Sequence, residues 1–116
     1  MFRPAIRTVT STTITNTVDV SSVRPTDFEG DKVTVGATAI EVTFTGTPLA
    51  VHIQADHDNA GSIYIGPSSV ANDGSNAVQR LDAGESTGWD YNDTSNPVYV
   101  VASQADQVVY KLALLA

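Results

Sequence analysis

His52, Asp56, His57 and Asp58 lie within seven residues of one another, and all four are metal-ligating types. Imidazole nitrogens and carboxylate oxygens at that density suit zinc or manganese. The surrounding pattern argues otherwise. Leu49-Ala50-Val51-His52-Ile53-Gln54 alternates, so Leu49, Val51 and Ile53 face a core and His52 faces solvent. Asp56-His57-Asp58-Asn59-Ala60-Gly61 then reads as a polar turn in which Asx side chains bond their own backbone. We take the group as that turn and expect no metal. Asp90, Asn92 and Asp93 form a second oxygen-rich group, but the spaced ligands and closing glutamate of a dedicated calcium loop are missing.

Other chemistries find less. The chain has ten serines and two histidines, yet no Gly-x-Ser-x-Gly elbow to activate a nucleophile. Paired carboxylates for glycoside cleavage need a cleft that a set of short strands does not provide. No glycine-rich phosphate loop is present. With no cysteine, disulfides, thiolate metal sites, iron–sulfur clusters and cysteine nucleophiles are excluded. No catalytic residue and no cofactor is expected, and the chain reads as a non-enzyme.

Aromatic residues are the remaining candidates. Trp89, Tyr91, Tyr64, Tyr99 and Tyr110 would stack on sugars if exposed, as in a carbohydrate-binding module. The simpler reading places most of them in the core or at a subunit interface, where large amphipathic rings contribute most. Tyr64 stands opposite Ile63 and Ile65 in its strand, which makes it the tyrosine to look for on the surface.

The elements that must position these residues are strands. Val, Ile and Thr make up 35 of the 116 residues, and branching at Cβ favours a pleated sheet over a helix. Apolar alternation recurs over residues 39–45, with Ile40, Val42 and Phe44 on one face, and again over 49–54 after Gly46-Thr47-Pro48. The two runs predict an antiparallel hairpin or a corner between sheets. Further strands are expected at 62–66, 78–81, 86–91, 98–102 and 107–115. Val98 to Ala102 is apolar on both faces, as a sandwiched strand should be. Asn72-Asp73-Gly74 and Asp82-Ala83-Gly84-Glu85 mark turns, with Gly84 free to take a positive φ and Glu85-Ser86 able to bond the exposed turn amides. The fold class is all-β: an antiparallel β-sandwich or jelly-roll-like domain of eight or nine short strands, over residues 27–116, preceded by an extended N-terminal arm. No apolar run is long enough to span a bilayer as a helix. The start, Met1-Phe2-Arg3-Pro4, lacks the apolar stretch of a signal peptide.

Charge divides the chain at the same place. Residues 1–26 carry Arg3, Arg7 and Arg24 against Asp19, for +2, whereas residues 27–116 carry −9. An acidic body argues against nucleic acid as a partner, because phosphate contacts need clustered cations. Residues 6–17 are strand-prone but hold just three large apolar residues, Ile6, Val9 and Ile14. Such a segment buries little alone and suits either an edge strand or an extended arm, within residues 1–26, that pairs with another chain. Arg3, Arg7, Thr10, Thr12 and Ile14, together with Tyr64, are therefore the expected interface residues. A thin core plus such an arm predicts a homo-oligomer, with a trimer as the expected form.

The order of the C-terminal pieces resembles a known family. Ser62-Ile63-Tyr64-Ile65-Gly66 is followed by Leu81-Asp82-Ala83-Gly84-Glu85-Ser86, then Pro97-Val98-Tyr99-Val100-Val101-Ala102-Ser103, then a final hydrophobic strand. In that succession residues 62–115 are similar to small β-proteins encoded among the virion structural genes of tailed bacteriophages and prophages. Pro67 after Gly66 and Ala83 before Gly84 depart from the pattern, where relatives carry glycine or a polar residue and proline. The resemblance implies a structural virion protein, assembled in the host cytoplasm. It points to a capsid decoration or cement subunit that binds the major capsid protein on the outer surface and stabilises the head. The alternatives are a head-to-tail connector, tail or fibre component, or a glycan- or receptor-binding module.

Overall fold

Strand formation follows the β-branched runs along most of the chain. The computed structural model describes residues 25–90 and 96–115. The arm residues Arg3, Arg7, Thr10, Thr12 and Ile14 lie outside the described residues, as do Tyr91, Asn92 and Asp93. The strands are β1 (Asp27–Val35), β2 (Ile40–Glu41), β3 (Pro48–Ala55), β4 (Ile63–Gly66), β5 (Gln79–Leu81), β6 (Ser86–Asp90), β7 (Tyr99–Ala102) and β8 (Gln107–Leu115). They build two four-stranded sheets, ordered β1-β8-β3-β6 and β2-β7-β4-β5, and every pairing is antiparallel. The all-β sandwich expected from composition is the fold.

The core lies between the sheets. Val35, Val51, Ile53, Ala55 and Val109 from the first sheet meet Ile63, Ile65, Leu81, Val100 and Ala102 from the second, with Val33, Val42, Phe44, Trp89 and Val98 packed against them. Alternation places these residues inward, because successive side chains on a strand point to opposite faces. β7 is buried on both sides as its composition predicts: Val100 and Ala102 face the core, while Val101 is also fully buried beside Tyr64 of β4.

Two expectations need correction. Residues 39–45 form no continuous strand; pairing stops after Glu41, although Val42 still donates its amide to the Val98 carbonyl at 2.8 Å. Val42 and Phe44 remain half-buried against the core, but Ile40 is exposed. The chain leaves one sheet at β2 and enters the other at β3, so the Gly/Pro break is a corner between sheets rather than a hairpin. Leu49 does not face in with Val51 and Ile53. A register shift between Pro48 and Ala50 leaves it half-buried in a bulge, because the extra residue interrupts the alternation.

Polar side chains fasten the ends. Gln107 is the buried polar residue among the described ones; its Oε1 accepts the Gly61 amide at 2.8 Å and its Nε2 donates to the Ala105 carbonyl at 2.8 Å. Asn59 acts as a short strand partner, accepting the Val108 amide and donating to the Val108 carbonyl, both at 2.8 Å. At the opposite corner the Glu29 carboxylate accepts the Thr45 amide and hydroxyl and the Gly46 amide, at 2.8–2.9 Å.

Two substitutions should separate these contributions. Val100→Asp places an unpaired carboxylate in the core at a cost of several kcal/mol and should abolish the cooperative melt. Gln107→Leu leaves the Gly61 amide unpaired and should lower stability by about 1–3 kcal/mol in denaturant titration while keeping the sheet signal in circular dichroism.

Candidate interaction surfaces

The metal-type cluster proves to be a folded turn. The Asp56 Oδ1 accepts the Asp58 amide at 2.8 Å, closing an Asx turn, and its Oδ2 accepts the Tyr110 hydroxyl at 2.7 Å. His57 is 83% exposed, with Nδ1 3.4 Å from Asp56 and Nε2 3.4 Å from Asp58. Ligand atoms of the three residues lie within 4.8 Å of one another, but the central carboxylate is already engaged by an amide and a phenol. His52 is not part of this group; it is exposed on the outer face of β3, where alternation predicts it. The Asp58 amide first, and then the Tyr110 hydroxyl, hold the Asp56 carboxyl below its ordinary range. Tyr110 is correspondingly raised by the same bond. The Gly46 and Thr45 amides likewise lower Glu29.

Tyr64 lies on the outer face of its sheet, half-buried rather than free. The loop of residues 67–78 folds back onto it: the Val78 amide returns to the Ile65 carbonyl at 2.8 Å, and Gly74 sits against the ring. A Cβ at Gly74 would lie 3.1 Å from the tyrosine Cε1, and its φ of +88° is one that L side chains avoid, so glycine fits on both counts. The predicted turn closes with the Gly74 amide donating to the Ala71 carbonyl. Gly84 takes the positive φ expected of it, and the Glu85 carboxylate accepts the Asp82 amide at 2.8 Å.

An exposed apolar surface lies on the outer face of the β1-β8-β3-β6 sheet. Register sets Phe28 beside Leu114 and Leu114 beside Ala50, with Gly30, Leu112 and His52 in the next row. Phe28 is 68% exposed, Leu112 36% and Leu114 37%. Sequence patterning does not reveal this surface. Asp27-Phe28-Glu29-Gly30-Asp31-Lys32 lacks alternation, so β1 carries no strand signal of its own. The signal that is available is β8 itself: Val108, Tyr110, Leu112 and Leu114 share one face while Val109 and Ala113 share the other, so both faces are apolar.

A second apolar feature opens at the flank where the edge strands β5 and β6 meet. The cleft has a volume of about 430 Å³ and is walled by Ile65, Trp89 and Val98, with Pro67, Val78 and Pro97 around it. Trp89 is half-buried and packs against the core, as expected, but one side of it forms this wall.

No known protein family and no curated relative matches the chain. Among solved structures it is similar to a subunit of Bacillus endospore appendages, described as a novel family of disulfide-linked pili, with 16% identity over 78% of this chain and 87% of that chain and a TM-score of 0.42.

Acid should weaken the two carboxylate clamps. Both groups titrate below their unfolded values, so the stability they add is present at neutral pH and lost as pH falls through their folded values. The melting temperature should drop on acidification below the ordinary carboxylate range. A Glu29→Gln, Asp56→Asn double variant should start lower at neutral pH and fall less steeply. On the alkaline side, the Tyr110 contribution should disappear as pH rises through its raised value.

Proposed function

We propose that the chain is a non-enzymatic structural subunit of a tailed-phage virion, a decoration or cement protein that binds the outer capsid surface and stabilises the head. The observation that carries the reading is the exposed apolar face bearing Phe28, Leu112 and Leu114. A contiguous apolar sheet face on a small domain marks a protein contact, because burying it removes water from surface that polar groups cannot cover. The likeness of residues 62–115 to small virion β-proteins supplies the kind of particle.

In this reading the apolar face packs against another copy in a homo-oligomer, a trimer, and the oligomer sits on the major capsid protein. The acidic body keeps free subunits apart through charge repulsion until apolar contact outweighs it. Residues 1–26, with Arg3 and Arg7, add a basic attachment arm. A place in the connector, neck or tail uses the same contacts with a different copy number.

Sedimentation of the full chain at micromolar concentration should give an oligomer, and Leu112→Lys with Leu114→Lys should give a folded monomer. A monomeric wild type would sink the assembly reading. Particle maps should then show the subunit at many capsid sites; a single ring at one vertex would reassign it to the connector.

A further inference from the structure

The two flanks of the sandwich are finished differently. On the β1–β2 flank, Glu29 binds the Thr45-Gly46 backbone, and the Lys111 ammonium reaches the Thr43 carbonyl while lying 5.1 Å from the centre of the Phe44 ring. A cleft of about 400 Å³ lies on that side too, but polar and charged groups line it, with a cation over an aromatic face. On the β5–β6 flank the apolar cleft stays open, and Val78 stands at its lip with 79% of its surface exposed. One wall of the cleft is also a backbone edge. Among the described residues β6 pairs only with β3, so one side of Ser86–Asp90 has no ladder partner within that set. An open edge beside an apolar groove is the receiving half of strand addition: the ladder supplies affinity and the groove selects a side chain.

We infer that this flank receives residues 6–17 of a second copy, which add as a strand to β6 with Ile14 in the cleft. The inference deepens the assembly reading above by naming a contact within it. The segment has the right chemistry. Arg7 is its one charged residue, and its β-branched composition favours an extended chain. Ile6, Thr8, Thr10, Thr12 and Ile14 occupy alternate positions and share a face. That face offers a large apolar group at each end, Ile6 and Ile14, with threonine methyls between them. Glu85 and Asp90 bracket β6, which suits a segment whose charge is Arg7.

The assembly reading above, rather than reach along the chain, selects a second copy over the same chain. Pro25 and Thr26 enter beside β1, where the Thr26 amide donates to the Leu115 carbonyl. β1 and β6 are opposite edges of the sheet, with β8 and β3 between them. Between copies, a segment that enters at one edge and is received at the other makes the head-to-tail arrangement that builds rings or open arrays. Residues 18–24, if extended, span about 23 Å, enough to bridge adjacent subunits.

The absence of native cysteine makes the test direct. Full-length chains carrying Ile14→Cys are mixed with chains carrying Val78→Cys under mild oxidation. The expected result is a disulfide-linked heterodimer in at least tenfold excess over a control mixture with Thr34→Cys, which lies exposed on the far flank. Trp89 is the chain's sole tryptophan and reports the cleft: Ile14→Asp should shift its emission to the red, keep the sheet signal, and weaken association at least tenfold. A chain carrying both Ile14→Cys and Val78→Cys that closes its disulfide within one molecule, with no heterodimer on mixing the single variants, would overturn the second-copy assignment. No excess over the control, with the wild type still oligomeric, would overturn the cleft as receptor while leaving assembly intact. A monomeric wild type would overturn both.

Discussion

Everything in this domain hangs on one dry seam between two four-stranded sheets. Its residues are mostly small: Val, Ile and Ala outnumber the single Leu in the central cluster, and among the described residues no large aromatic ring is fully buried. Small branched side chains interlock across closely packed sheets, but the layer is only one side chain deep from either face. A core of that thickness leaves little surplus over conformational entropy. The corners then matter more than in a larger domain, because a frayed corner admits water directly to the seam.

The corners are held by polar side chains standing in for backbone. Asn59 presents an amide to Val108 as a neighbouring strand would, and Gln107 bridges Gly61 and Ala105. Glu29 collects two amides and a hydroxyl from the turn between sheets. Each bond satisfies a loop or strand-end group that the ladders leave over. The same economy accounts for the turn at Asp56, whose carboxylate closes the turn on the Asp58 amide and fixes the loop to β8 through Tyr110.

How far the fold is legible follows from period-two patterning. β7 and the inward half of β3 are readable from Val and Ile runs, and the turns at Gly74 and Gly84 from glycine among Asx and acidic residues. β1 is hidden because its inward Glu29 and its Gly30 break the pattern, and the bonds that make Glu29 acceptable come from residues 45 and 46. Alternation assigns Tyr64 to its correct face, but the loop that covers it depends on Gly74 meeting its ring across ten residues. The apolar outer face requires knowing that β1 and β8 are neighbours, a pairing between the two ends of the described chain. Alternation reports which residues share a face; it does not report which strands share a sheet.

That last pairing also governs time. β8 is the last of the described strands in sequence and yet lies inside its sheet, between β1 and β3, with Asp27 set against Leu115. Until residues 107–115 have been synthesised, β1 and β3 have no common partner, and the first sheet cannot form. Pairings this distant close large loops before they gain contacts, which places such topologies among the slower folders. During that interval Phe28 and the strand edges are open to other nascent chains. The late central strand thus acts as a completion check, so that only a chain translated through β8 acquires the apolar outer face of Phe28, Leu112 and Leu114.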